Sequence, residues 1–336
     1  MKTHNVSGSR QVFALLVLSQ CFWLLCSRPP LQNGLLTVAA SAAAYGTVFL
    51  LVVLCCRPTG QTEKQTAPRW LSLCGALLAV GYFAVTASQL LAAARVVFEG
   101  AFSPLWLLLA LLAAVLSAAA AGQEALGRAA FICLFLFLAA ALLLAVGVLP
   151  QAASANLRMP ERDISRLGGQ LLQVLSYQAE PLLLLALAPY TDRSHRSALL
   201  LWSPAGWAVN AAFLLLSALV LGHYGSLQAY PLHLLAQSAG LSGMVPVYCF
   251  LLVTAAFFRL TGLAVAALRF GGGAVTGSKP LFCCTALLCL GGVVLLYYTG
   301  WQNSAVYGVL GAAGLLWLVL YRIFAPSGLK PAQGRE

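Results

Sequence analysis

Long apolar runs alternate with short polar breaks along this chain, and within the runs nearly every position is apolar. That pattern lacks both the two-residue period of a half-buried strand and the one-sided stripe of a soluble helix. Ten runs stand out, at residues 11–26, 34–56, 70–97, 104–121, 127–149, 164–190, 197–221, 244–269, 280–300 and 304–324. Each is near the roughly 20 residues a helix needs to cross a hydrocarbon core. A transmembrane barrel would show short segments alternating outward apolar and inward polar residues, which 105–121 and 131–148 do not. The expectation is therefore an all-α polytopic membrane protein of about ten transmembrane helices, forming one membrane domain over residues 1–336.

The first run has a basic flank and a short core, as a signal peptide would. No small-x-small cleavage site follows it, and Ser27, Arg28, Pro29 and Pro30 read as a turn. The connections are short and leave no soluble domain. The longest lie at 150–163 and 222–243. The second carries Tyr230-Pro231-Leu232-His233-Leu234, an amphipathic stretch that predicts an interfacial or re-entrant helix.

Composition agrees with this picture, since 61% of residues are hydrophobic and 8% charged, against about 25% charged in a soluble domain. With the N-terminus inside, the cytoplasmic pieces hold Lys2, Arg10, Arg57, Lys64, Arg69, Arg128, Arg193, Arg196, Arg269, Lys279, Arg322, Lys330 and Arg335, which is 13 of the 19 basic residues. The outer side holds Arg28, Arg95, Arg158, Arg162 and Arg166. This bias predicts a multi-pass protein of the cell membrane with both termini cytoplasmic. The net charge of +11 does not indicate nucleic acid, because the basic residues are scattered singly at helix ends.

Candidate chemistry is sparse. The ten cysteines sit almost wholly inside apolar runs, where they read as packing residues. Cys283, Cys284 and Cys289 have no His, Asp or Glu nearby, so no metal and no cofactor is expected. No H-E-x-x-H, P-loop or G-x-S-x-G signature occurs, and no enzyme with catalytic residues is predicted. At the head of the fifth span, Glu124 and Arg128 have the i,i+4 spacing of a surface ion pair.

Two charged residues fall inside spans, Glu180 and Arg259. At mid-bilayer each costs at least roughly 2.5 to 3.5 kcal/mol, so such a residue normally faces a cavity or a partner. Glu180 ends the polar stretch Ser176-Tyr177-Gln178-Ala179-Glu180 and precedes Pro181, which predicts a kink or unwinding of span six. Unwound backbone at mid-membrane is how many transporters build a binding site. The alternative is a structural carboxylic acid bound to a neighbouring helix. Arg259 has two readings, a partner for that carboxylate or for an anionic ligand group, and a side chain snorkelling to the interface. Ser19 and Gln20 interrupt span one, either as the matching break of an inverted repeat or as a polar pair hydrogen-bonded between helices. The candidate binding residues are thus Ser19, Gln20, Ser176, Tyr177, Gln178 and Glu180, with Arg259 as charge partner.

The order of several short motifs resembles the B subunit of spore-germination receptors, in the amino acid-polyamine-organocation transporter superfamily. They are Ser7-Gly8-Ser9-Arg10-Gln11 opening span one, Ala94-Arg95-Val96-Val97 ending span three, and Gly122-Gln123-Glu124 with Arg128 before span five. Ala155-Asn156-Leu157-Arg158-Met159-Pro160 is similar to the family's Asn-Leu-x-Pro loop. Glu180, Tyr230-Pro231-Leu232 and Arg259 fall where the family has related residues. Met244-Val245-Pro246-Val247-Tyr248 replaces an arginine-bearing family motif.

The resemblance implies a LeuT-like five-plus-five inverted repeat, with halves at 11–149 and 164–324. It also implies a germinant-binding site for a small nutrient, often an amino acid, between spans one and six, and a place beside A and C subunits in the inner spore membrane. The function expected is nutrient sensing. A proton-coupled amino-acid transporter, with Glu180 titrating, and a scaffold without ligand are the other readings.

Overall fold

The computed structural model describes residues 8–26, 34–55, 68–98, 103–157, 164–187, 200–239, 244–274, 278–299 and 304–324. Among them the chain is all-helical, with no strand. Its helices are α1 (Ser9–Cys26), α2 (Gly34–Cys55), α3 (Arg69–Val97), α4 (Pro104–Ala121), α5 (Gln123–Val148), α6 (Ile164–Ser176) and α7 (Glu180–Leu187). They continue as α8 (Trp202–Leu227), α9 (Pro231–Ser238), α10 (Met244–Ala274), α11 (Ser278–Thr299) and α12 (Ser304–Phe324). Seven of these are long and apolar enough to cross a membrane, namely α1, α2, α3, α5, α8, α10 and α12. The apolar parts of α4 and α11 are shorter, Trp106–Ala121 and Phe282–Leu296.

Each apolar run of the sequence is therefore largely helix where it is described, the sixth being interrupted at Tyr177, Gln178 and Ala179. Helix α5 starts four residues earlier than expected, because Gly122 at φ +96° makes the turn that lets Gln123 begin a new helix directly after α4. Glu124 and Arg128 form the anticipated ion pair there. The 222–243 connection does hold a short helix, α9, with Leu232, His233 and Leu235 buried.

Helices α10 and α1 form the centre. The most apolar windows of α1 and α10 are 83% and 78% buried, against 28% for α5. Helix α10 lies along α3 and also touches α1, α4, α5 and α7, while α2 packs on α8 and α6. Helix α5 turns Ile132, Phe135, Leu136, Leu142, Leu143 and Val146 outward, a face suited to hydrocarbon rather than water.

Close approaches depend on small residues, as membrane helix packing generally does. Gly75 lies under the Trp317 ring, whose Nε1 donates to the Leu71 carbonyl at 2.9 Å. Gly311 of α12 sits on the end of α6, where an added Cβ would come within 2.5 Å of the Ser176 Cα.

The connection after α5 is pinned to α8. Asn156 Nδ2 donates to the Leu219 and Val220 carbonyls at 2.8 and 3.4 Å, and the Ala153 amide donates to Leu219 at 3.1 Å. These are carbonyls that a helix end leaves without intrahelical donors. Gly222 follows with φ +52°, a left-handed turn that interrupts α8, and its missing side chain leaves room for Asn156.

Candidate functional site

Span six breaks where the sequence places its proline. Helix α6 ends at Ser176 and α7 begins at Glu180, with Tyr177, Gln178 and Ala179 between them. Pro181 has no N–H, so in a continuous helix the carbonyl four residues back, that of Tyr177, would lack its donor. Arg259 supplies one, since its Nη2 donates to the Tyr177 carbonyl at 2.6 Å. The α6–α7 break is thus closed by a side chain of α10.

The same guanidinium reaches the carboxylate. Arg259 Nη1 donates to Glu180 Oε1 at 2.7 Å and to the Ser19 carbonyl at 3.2 Å, and its Nε donates to Thr86 Oγ1 at 3.3 Å. Ser19 Oγ donates to Glu180 Oε1 at 2.8 Å. The two side chains are 3% and 1% exposed, so the pairing reading of Arg259 holds and the snorkelling one does not. Each charge also sits at a helix end of complementary sign, Arg259 at the C-terminus of α6 and Glu180 in the first turn of α7. The Phe22 ring lies under the guanidinium, 5.7 Å from its centre.

Helix α1 runs unbroken through Ser19 and Gln20. The expected interruption of span one is therefore not a helix break. The two polar side chains are hydrogen-bonded to other elements instead, because nothing in α1 removes a backbone donor as Pro181 does in span six.

On the other side of α1 lies a second polar group. Gln20 Nε2 donates to Gln178 Oε1 at 3.5 Å. Asn210 Nδ2 of α8 donates to the Gln20 carbonyl at 3.4 Å and to Tyr45 Oη at 2.7 Å. Trp23 Nε1 donates to Tyr45 Oη at 2.8 Å. Gly206, one turn before Asn210, admits the Gln20 carboxamide, since a Cβ there would lie 1.8 Å from Gln20 Oε1. The Tyr177 ring stacks on Trp23 at 6.0 Å and contacts Tyr307 at 4.6 Å. Gln20 Oε1, Gln178 Nε2, Asn210 Oδ1 and the Tyr307 hydroxyl are buried and have no hydrogen-bond partner among the described residues. Unpaired groups of this kind each cost roughly 1–3 kcal/mol.

Of the predicted site residues, Ser19, Glu180, Arg259 and the Tyr177 backbone form one network, and Gln20 and Gln178 form the other. Ser176 is buried, but its hydroxyl donates to the Gln173 carbonyl of its own helix at 2.7 Å. Sequence reasoning missed Thr86, Trp23, Tyr45, Asn210 and Tyr307. Asn210 and Thr86 carried a signal, a hydrogen-bonding side chain inside an apolar run. The aromatic residues carried none, since rings in a span are ordinarily packing.

A further clasp holds the last described residues of α7. Arg269 Nη1 donates to the Ala186 carbonyl at 2.8 Å and Gln123 Nε2 to the Leu187 carbonyl at 3.5 Å, while Arg269 also donates to Gln123. The last described turn of α7 is thereby tied to α10 and to the start of α5.

Among the described residues no cluster of His, Cys, Asp and Glu has the make-up of a metal site. No family model matches the chain, and no curated protein matches it.

Proposed function

We propose that this chain is a nutrient-sensing membrane protein of the spore-germination receptor B type, binding a small molecule at the span-six break beside α1. The observation that carries the reading is the break itself, with a buried ion pair bridging its two half-helices and unpartnered polar groups beside it. A ligand that pairs with those groups and prefers one arrangement of α6 and α7 shifts the population toward it. A and C subunits would report the shift, and the lipid bilayer holds the chain in a ten-span, two-half arrangement with both termini cytoplasmic.

The competing reading is a proton-coupled amino-acid transporter that uses Glu180 as proton carrier. Glu180 is instead engaged by Arg259 and Ser19, both hydrogen-bonded to the same carboxylate oxygen. The ion pair therefore favours a device that changes shape over one that cycles a proton at this residue.

The test is reconstitution of the full chain in liposomes, with nutrient uptake and ligand-induced thermal stabilisation measured together. Stabilisation without uptake is expected. Proton-driven uptake that disappears in Glu180→Gln would defeat the sensing reading.

A further inference from the structure

At one end of the bundle α3 begins while α10 and α12 finish. Gly75 and Phe270 meet the Trp317 ring there, and Trp317 in turn lies against Tyr321. The contact nearest the helix ends is Trp70 against Phe324, with ring centroids 5.6 Å apart. Each of these two residues is 49% exposed. Their contact brings Arg69, next to Trp70, and Arg322, two residues before Phe324, to the same corner, and both arginines are exposed. Helices α3 and α12 are long and apolar enough to cross a membrane, so residues at their ends fall at headgroup depth.

Charge at this corner has one sign. Arg69 is the first residue of α3, the end at which the helix dipole leaves partial positive charge. A carboxylate in the first turn or a capping side chain ordinarily answers that charge. Helix α3 has neither, since its first turn holds no acidic residue and its N-cap is Pro68, without a side-chain hydrogen bond. Arg322 suits its own place in the last turn of α12, but it sets a second cation beside the first. Among the described residues neither arginine has a hydrogen bond or an ion pair. Arg128 and Arg269 differ in this respect, the one paired with Glu124 and the other bonded to Gln123 and to the Ala186 carbonyl.

The surface next to the corner is apolar. Leu73 and Leu77 continue the exposed face of α3 from Trp70 in steps of three and four residues, and Leu316, Val319 and Ile323 make a similar face on α12. Two cations at the head of two apolar stripes, with aromatic rings at the boundary, match an amphiphile lying along the helices.

We infer that Arg69 and Arg322 hold the phosphate of an anionic phospholipid, whose acyl chains run along the exposed faces of α3 and α12. The planar guanidinium fork matches phosphate oxygens in pairs, and two forks on separate helices make contacts that a single surface cation does not. The headgroup supplies the negative charge missing from the first turn of α3 and couples that turn to the end of α12. A free phosphate would satisfy the arginines and leave the apolar stripes unused, which is why a lipid is the occupant. The corner takes no part in the span-six break, so a negative result at one leaves the other untouched.

Native mass spectrometry of the full chain in detergent, with lipid titrated in, counts the lipids retained and gives their dissociation constants. Phosphatidylglycerol, which carries one negative charge, and zwitterionic phosphatidylcholine with the same acyl chains are the probes. Phosphatidylglycerol should bind at least about tenfold more tightly. Arg69→Gln and Arg322→Gln should each weaken its first-bound molecule about fivefold and leave phosphatidylcholine unchanged. Arg10→Gln, which removes an exposed arginine at the start of α1, should change neither. All three variants alter exposed side chains, and thermal melting without added lipid checks that each is folded. Equal retention of the two lipids would overturn the proposal. A loss in Arg10→Gln as large as that in Arg69→Gln would also overturn it, showing diffuse surface charge in place of a site. Release of phosphatidylglycerol by inorganic phosphate at equal concentration would make free phosphate the occupant and overturn the lipid.

Discussion

Arg259 Nη1 lies 2.7 Å from Glu180 Oε1, and the pair joins α10 to the first turn of α7 deep inside the molecule. Removing one partner from a buried pair leaves the other charge uncompensated, which typically costs roughly 3–5 kcal/mol. Glu180→Gln and Arg259→Met should each lower the thermal unfolding midpoint markedly. The double variant should lose less than the sum of the two, with a coupling of at least about 1 kcal/mol. Additive losses in a double-mutant cycle would show that the pair contributes little as a pair.

Gly206 lets the Gln20 carboxamide reach the gap between α1 and α8. Gly206→Ala should destabilise the protein by roughly 1–3 kcal/mol, the usual cost of an overpacked contact. Adding Gln20→Ala should recover part of that loss, because it removes the group the new methyl meets. Melting curves of the single and double variants check this, and no recovery would place the clash elsewhere.

The all-helical, apolar character was legible because hydrocarbon imposes length and composition on any helix that crosses it, and α4 begins and ends at the residues the pattern marks, although seven of the described helices, not ten, are long and apolar enough to cross. Pro181 announced the break in span six for an equally local reason, the loss of one backbone donor. The mate of Glu180 was named as one of two options for Arg259, since sequence shows a buried charge but not the direction of its side chain. The partners of Tyr45 and Asn210 were out of reach. Their role depends on α2 and α8 meeting α1, a contact between residues far apart in the chain that no local pattern encodes.

Asn156 caps α8 from another part of the chain, and Gly222 makes room for it. Asn156→Ala should cost about 1 kcal/mol, as losses of helix caps generally do. Gly222→Ala should cost a further 1–2 kcal/mol or so, from the left-handed backbone that a Cβ disfavours. Hydrogen exchange in the turn of α8 that precedes Gly222 should rise in both. Unchanged exchange in Asn156→Ala would mean that the Ala153 amide suffices to hold the helix end.

Arg269 and Gln123 hold the carbonyls at the end of α7. Arg269→Met should loosen the described part of α7 around Ala186 and Leu187 while leaving α6 as it was, because the two are separate helices. Faster exchange at the last amides of α7, with those of α6 unaffected, is the expected result. Equal loosening of both halves would show that they move as one rod.

Helix α1 is a single rod through Ser19 and Gln20, whereas its neighbour is cut in two at Tyr177, Gln178 and Ala179. Bending α1 means breaking its internal hydrogen bonds, whereas moving α7 about the three linking residues means breaking the bonds that Arg259 and Ser19 make to Tyr177 and Glu180. Arg259 is the point where α1, α3, α7 and the linking residues meet α10. The joint in span six is therefore fastened from outside, by side chains that α1 and α10 carry.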